Sequence, residues 1–304
     1  MEEIPNELVN PIELPKDEEE ERYWQSLNKL WWEKFPMRYD WRERIHYEEF
    51  SREFFLEIDK RFFNDARNYM KWKTIPFDNL IDYYSLRDQD VLEIGIGSGS
   101  HAQLIAKYSK SFTGIDITEY AIKSTSERMR IGGLSAVIKK MEAENMRFDD
   151  NTFDFIWTWG VIHHSANTKK ILKEMARVLK IGGKAICMVY HRNFWNYYII
   201  NGFLRGIIKG DFVRNKSISI NKIMQISSDG AIARHYTMDE WDKLVSEYFT
   251  IKNKLIFGQK TDLIPLPSGM LKNLLINFVP NSLTTFLTNS CKLGSLLVTT
   301  LEKT

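Results

Sequence analysis

A chain of 304 residues is long enough for one large domain or for a domain with sizeable insertions. Hydrophobic content of 43% with 13% aromatics excludes a disordered chain. A net charge of +2 without a basic stripe excludes the electrostatic footprint of a nucleic-acid binder.

The two cysteines, Cys187 and Cys291, have no metal-ligand spacing, and two buried free thiols are expected in place of a disulfide. The acidic N-terminus does not read as a signal peptide. The apolar stretch Leu271 to Leu301 is broken by Lys272, Asn277, Pro280, Asn281, Asn289 and Lys292, so no run reaches membrane-spanning length. A reduced, cytoplasmic protein is the expectation.

Residues 1–20 carry Pro5, Pro11, Pro15 and the start of an acidic run from Asp17 to Glu21. They read as a flexible acidic arm leading into a helix. Residues 21–86 read as a helical flap rich in aromatic rings, among them Trp24, Trp31, Trp32, Tyr39, Trp41 and Phe62. Most such rings pack on the domain, but the flap as a whole is expected to border a site and to hold an apolar or planar molecule.

From Asp90 the rhythm turns to strand, helix, strand, helix. Val91, Leu92 and Ile94 form a short apolar run, followed at once by Gly95, Gly97 and Gly99. Ala102, Leu104, Ile105 and Ala106 then return at helical spacing, which describes a buried strand, a tight loop and a helix start. Glycines let such a loop bend sharply and approach a ligand, and the helix behind offers free N–H groups. The second strand, Phe112 to Ile117, ends at Asp116, and a helix from about Thr118 to Arg130 closes at Gly132-Gly133. The third strand, Ala136 to Lys140, runs into Met141-Glu142-Ala143-Glu144. The fourth, Phe153 to Trp159, runs into Gly160-Val161-Ile162-His163-His164. A helix capped by Asn167 or Thr168 is expected to end at Gly182-Gly183, and Lys184 to Tyr190 is the fifth strand. Thr237-Met-Asp-Glu-Trp opens another helix, Phe249 to Phe257 is the sixth strand, and Gly294 to Glu302 is the last. The expected fold is α/β: a Rossmann-like, doubly wound, seven-stranded sheet, mostly parallel with the last strand antiparallel. Two interruptions, 192–235 and 259–293, are too long for simple connections and are apolar enough to form helical lids. The α/β portion so defined spans 87–304.

A glycine loop of this kind is shared with dinucleotide sites of the form G-x-G-x-x-G, but here the third glycine falls one position early, at Gly99, and Ser100 follows. Glu93 stands two residues before the first glycine. The pattern Glu-x-Gly-x-Gly-x-Gly resembles the first motif of the class I S-adenosylmethionine-dependent methyltransferases. The segment from Met141 to Lys184, through Asn-Thr-Phe-Asp-Phe-Ile-Trp-Thr-Trp-Gly-Val-Ile-His-His and Glu-Met-Ala-Arg-Val-Leu-Lys-Ile-Gly-Gly-Lys, is similar to the ubiquinone/menaquinone-methylase-like subgroup. The resemblance covers about residues 88–191, with four motifs in order. It departs at Glu142, where the subgroup usually has Asp, at Met146-Arg147-Phe148, where it has Leu-Pro-Phe, and at Ile181, where it has Pro.

Ligands of open α/β sheets bind beyond the carboxyl ends of the strands. The resemblance implies that Gly95, Gly97 and Gly99 back the methionine part of S-adenosylmethionine, with Glu93 orienting the loop or the amino group. Asp116 holds the ribose, with Ile117 beside it, and Glu142 and Ala143 hold the adenine. Trp159 and Gly160 line the methyl-transfer side. If the acceptor is a hydroxyl, a general base is needed, and histidine suits that work near neutral pH. His163 and His164 rank first as base, then His191. No metal is expected. The implied activity is methyl transfer to a small molecule, lipid-like or glycosylated. The competing classes are a nicotinamide-dependent oxidoreductase, which Ser100 and the seventh strand disfavour, and a non-catalytic binder that keeps the pocket. Phe194 to Lys209 mixes aromatic and aliphatic residues with Arg205 and Lys209, which raises a membrane-facing role against packing as a lid helix.

Overall fold

The computed structural model describes residues 10–41, 43–266 and 270–304. Residues 1–9 of the expected acidic arm lie outside the described residues.

Two helices open the described chain, α1 (Glu18–Lys34) and α2 (Arg52–Arg67). Asp17 caps α1 by accepting the N–H groups of Glu19 and Glu20, and the acidic first turn complements the helix dipole. The sequence led us to expect helix through most of residues 21–86, but 35–51 and 68–84 are irregular. Pro36 and Pro76 oppose helix there. At the second break the Asp78 carboxylate gathers the N–H groups of Lys73, Thr74 and Ile75, giving the backbone a local alternative.

The strands are β1 (Asp90–Ile94), β2 (Ser111–Asp116), β3 (Val137–Lys140), β4 (Phe153–Trp159), β5 (Leu179–His191), β6 (His235–Tyr236), β7 (Thr250–Phe257) and β8 (Leu296–Glu302). Their order in the sheet is β3-β2-β1-β4-β5-β8-β7, and the two-residue β6 pairs with β5. Strands β1 to β5 pair in parallel, whereas β8 runs antiparallel to both β5 and β7. The expected seven strands are present, with β6 as an added short bridge.

Helices α3 (Ser100–Tyr108), α4 (Glu119–Gly132) and α5 (Thr168–Val178) make the crossovers. Asn167 caps α5 and Gly133, at φ +62°, closes α4. The fifth strand starts five residues earlier than expected, directly after α5, because Gly182 and Gly183 lie inside β5 and do not end the helix. Period-two alternation splits the core between the two faces of the sheet. Leu92, Ile156, Cys187 and Leu297 pack toward α5, while Val91, Trp157, Ile186 and Val298 pack toward α2 and α3. Cys187 is buried, but Cys291 is exposed, which corrects the expectation of two buried thiols.

The first long insertion contains a π-helix (Phe194–Leu204), α6 (Arg205–Lys209), α7 (Asp211–Arg214) and α8 (Ile220–Ser227). Helix α9 (Met238–Val245) follows β6, opened by a reciprocal cap between Thr237 and Glu240. The second insertion contains α10 (Met270–Phe278), α11 (Asn281–Thr285) and a π-helical turn (Phe286–Ser290). Among the described residues no helix is long and apolar enough to cross a membrane.

Candidate active site

The carboxyl ends of β1, β2, β4 and β5 converge on a cavity of about 400 Å³. Its floor is the loop after β1. Gly95, Gly97 and Gly99 all have positive φ, at +78°, +50° and +81°. A Cβ on Gly95 would lie 2.2 Å from Val161 Cγ2, so this glycine is needed for close packing against the β4 loop. A Cβ on Gly97 would meet only Met37 Cβ, at 3.9 Å, so this glycine leaves open space on the cavity side. Gly99 is not part of the cavity wall. It caps α3 and packs on α4, where a Cβ would stand 2.9 Å from Thr125 Oγ1.

Asp116, at the end of β2, stitches this loop to the next helix. Its Oδ2 accepts the Gly97 N–H at 3.2 Å, and its Oδ1 accepts the N–H and the hydroxyl of Thr118 at 3.0 and 2.9 Å. Burial raises the Asp116 carboxyl, and the bonds from Thr118 and Gly97 oppose the rise. Glu93 is 2% exposed, and its Oε2 has no hydrogen-bond partner. Burial, and then the nearby Asp116, push its carboxyl well above the ordinary range. An orphaned, buried carboxyl oxygen on a cavity wall is a place where a donor belongs.

Ile117, Met141 and Ala143 line one side of the cavity. Glu142 does not; it is exposed in an adjoining groove that shares Ile117 and Met141 with the cavity. Trp159 and Gly160 line the opposite side, with Trp159 stacked on Trp157 at 5.2 Å.

The three histidines expected to supply a base differ in what they face. His164 lines the cavity. Its Nδ1 lies 2.6 Å from the Ile232 carbonyl, which can only accept. Nδ1 therefore carries the proton and Nε2 the lone pair. Burial holds the His164 pKa below its ordinary value. His163 lies behind, fully buried, with its ring 3.9 Å from that of Tyr190. His191 donates from Nδ1 to the Gly294 carbonyl at 2.8 Å, tying β5 to the start of β8. Neither His163 nor His191 lines the cavity.

Several lining residues were not assigned from the sequence. The Tyr190 hydroxyl donates to Asp229 Oδ1 at 2.5 Å, and both residues line the cavity. Tyr190 sits beside His191 at a strand end and was within reach of sequence reasoning, but Asp229 lies in an insertion without a recognisable pattern. His101 also lines the cavity, boxed by Phe62, Phe77 and Trp157, with both ring nitrogens unpartnered and its pKa pushed down to about 3 by burial. From the N-terminal segment, Gln25, Asn28, Trp32, Tyr39 and Tyr69 complete the wall. The Ser98 hydroxyl donates to the Met37 carbonyl at 2.5 Å and fixes this segment over the glycine loop. The lining carboxyls are Asp65, Glu93, Asp116 and Asp229, and no lysine or arginine is among the described lining residues.

Residues 92–187 match the family described as methyltransferase domain. Over those residues the chain is similar to that family. Over 100 residues it is 34% identical to the phthiotriol/phenolphthiotriol dimycocerosates methyltransferase of Mycobacterium tuberculosis, covering 32% of this chain and 36% of that protein. Over 119 residues it is 28% identical to the ubiquinone biosynthesis O-methyltransferase of Coxiella burnetii, covering 39% of this chain and 51% of that protein. The chain thus spans about a third to a half of the length of these curated relatives. A solved SAM-dependent methyltransferase from Methanosarcina mazei superposes with a TM-score of 0.50 at 21% identity, over 76% of this chain and 99% of that one. The resemblance read from the motifs agrees with this match and with the fold, and S-adenosylmethionine is the cofactor that the resemblance implies. The cavity fits it: an orphaned buried carboxyl oxygen at Glu93, a glycine at 97 that keeps the floor clear, and a second carboxylate at Asp116 stand together on one wall.

Proposed function

We propose that this chain transfers a methyl group from S-adenosylmethionine to a small, largely apolar acceptor that carries no anionic group. The observation that carries the reading is the joint placement of Glu93, Gly97 and Asp116 on one wall of the 400 Å³ cavity. In the bound cofactor the sulfonium supplies an activated methyl group. Glu93 and Asp116 offer two carboxyls to a cationic amino group and to ribose hydroxyls, and the Gly97 edge leaves room for both. Ile117, Met141 and Ala143 supply an apolar slot for a flat ring, with Glu142 at its outer edge.

The acceptor side follows from the opposite wall. Trp32, Tyr39, Tyr69 and Trp159 present broad apolar rings. Four carboxyls without a described lysine or arginine on the lining disfavour a phosphate or carboxylate in the acceptor. His164 Nε2 is free to take a proton from an acceptor hydroxyl, an effect worth on the order of 10²- to 10⁴-fold. The rest of the acceleration comes from holding acceptor and donor in line while aromatic walls exclude water, which can supply roughly 7–11 kcal/mol at its best.

Calorimetric titration of the purified chain with S-adenosylmethionine and, separately, with NAD tests the cofactor. Saturable binding of the first alone supports the proposal, and a flat trace with the first removes it. A panel of neutral, cationic and anionic hydroxylated acceptors, followed by mass spectrometry for a gain of one methylene, tests the acceptor class.

A further inference from the structure

Both insertions expose apolar side chains. Helix α10 carries apolar residues at 270, 271, 274, 275 and 278 as a stripe at helical spacing, with Ile276 off it and half-buried. In a helix packed on a domain that stripe would face inward. Here it faces out: Met270 is 90% and Phe278 75% exposed, with Leu271, Leu274 and Leu275 exposed between them. Lys272, by contrast, is half-buried and within electrostatic reach of the buried Asp262 carboxylate. The first insertion repeats the theme, exposing Phe203, Ile207, Ile208 and Val213, the last at 83%.

The two insertions are joined. Trp195 Nε1 donates to the Leu263 carbonyl at 3.2 Å, and Asn193 Nδ2 donates to the Leu293 and Gly294 carbonyls at 3.2 and 3.0 Å. Each also contributes to the cavity wall, through Asp229 and Gln259 respectively.

Charge identifies what covers this surface. The chain as a whole is balanced, with 42 basic and 40 acidic residues. The insertions are not. From Arg192 to Ser228 the one acid is Asp211, against six basic residues. From Leu263 to Leu301 there is no Asp or Glu at all. Arg205, Lys209, Arg214 and Lys216 are exposed among the apolar residues. Exposed aliphatic and aromatic side chains set among cations, with Asp211 the one acid among them, match an interface between water and anionic lipid.

We propose that the paired insertions dock the protein on an anionic lipid surface, with α6 and α10 as the contact. Docking sets the Asp229 and Gln259 side of the cavity toward the lipid. The further consequence, that the acceptor is a molecule dissolved in that lipid, rests on the methyl-transfer reading; the docking itself does not.

The test is co-sedimentation of the full chain with vesicles of phosphatidylcholine alone and of phosphatidylcholine with phosphatidylglycerol. Binding to the anionic vesicles is expected, weakened by salt. It should fall at least tenfold in Arg205→Glu/Lys209→Glu and in Leu274→Ser/Phe278→Ser, all exposed positions whose substitution spares the fold. No binding to anionic vesicles, or binding that both variants retain in full, overturns the proposal. So does a stable dimer in sedimentation velocity that dissociates in Leu274→Ser/Phe278→Ser, because the stripe then covers a second copy of the chain. Cofactor titration on the same preparations separates the two readings: vesicle binding with a flat titration keeps the docking and removes the cofactor, and the reverse removes only the docking.

Discussion

Tyr190, at the end of β5, donates a hydrogen bond from its hydroxyl to Asp229 of the first insertion across 2.5 Å, joining the sheet edge to a segment that no motif describes. Burial and the Asp229 carboxylate hold the Tyr190 phenol well above its ordinary pKa, so it stays protonated and keeps donating. The Tyr190 ring also lies 5.5 Å from the His164 ring, edge to face. The pair therefore sets the position of both a carboxylate and an imidazole on the acceptor side of the cavity. Removing the hydroxyl in Tyr190→Phe takes a charge-assisted hydrogen bond worth about 1.5–3 kcal/mol from Asp229. Turnover is expected to fall about 10- to 100-fold, with cofactor affinity unchanged, since the glycine loop is on another wall. Steady-state rates beside a cofactor titration check the split, and equal losses in both would remove the assignment.

Asp116 serves the cofactor wall. It holds the Gly97 N–H and the start of α4 as well as facing the cavity, so Asp116→Ala removes a ligand contact and the brace of the loop together. Cofactor affinity should fall at least tenfold, read by calorimetry. Asp116→Asn keeps one acceptor oxygen and should fall less. Unchanged affinity in the alanine variant refutes the ribose role.

Glu93 makes cofactor binding depend on pH. Its folded pKa is raised by burial first and by Asp116 second, so the free protein favours the protonated carboxyl. A cationic group placed against it favours the carboxylate. Binding should therefore release a proton, and affinity should rise with pH until the free carboxyl has ionised. Calorimetry in buffers of different ionisation enthalpy, such as phosphate and Tris, measures that proton directly. Glu93→Gln should abolish the buffer dependence and weaken binding about tenfold. Identical heats in both buffers for the wild-type chain would dispose of the idea.

His164 predicts the acid limb of the rate profile. Its pKa lies below the ordinary 6.5 because burial disfavours the cation. The neutral, proton-accepting form therefore persists below pH 6.5, and kcat/KM for a hydroxyl acceptor should begin to fall only at more acid pH. His164→Ala should lower turnover by about 10²- to 10⁴-fold and keep cofactor affinity. His191→Ala should act differently, losing the bond to Gly294 and lowering the melting temperature.

The difference between these histidines marks where sequence reasoning ended. Placing three of them after strand ends required only the apolar runs of β4 and β5 and the turns that bound them. Telling His164 from His163 required the Ile232 carbonyl, 68 residues away, which selects one tautomer and one direction. The sheet was legible because each buried strand is a continuous apolar run beside a glycine or an Asx cap. The insertions were only half legible: periodicity shows that α10 has one apolar stripe, but not that the stripe faces outward. Residues 35–51 and 68–84 were misread as helix within one aromatic-rich segment, whereas Pro36 and Pro76 oppose helix and the backbone N–H groups of 73–75 go to Asp78.

Gly95 and Gly97 separate packing from binding within one loop. Both have positive φ, which costs an L-residue about 1–2 kcal/mol. In Gly95→Ala the new methyl is driven to 2.2 Å from Val161 Cγ2, between two strands that cannot part. The expected result is a lower melting temperature and loss of cofactor binding together. In Gly97→Ala the methyl enters open space and has only Met37 near it, at 3.9 Å. That variant should lose no more stability than the φ penalty, yet bind cofactor at least tenfold more weakly, because the methyl stands where the ligand must approach. Thermal melts and titrations of the two variants decide the matter. A Gly97→Ala protein that binds like wild type would place the ligand elsewhere in the cavity.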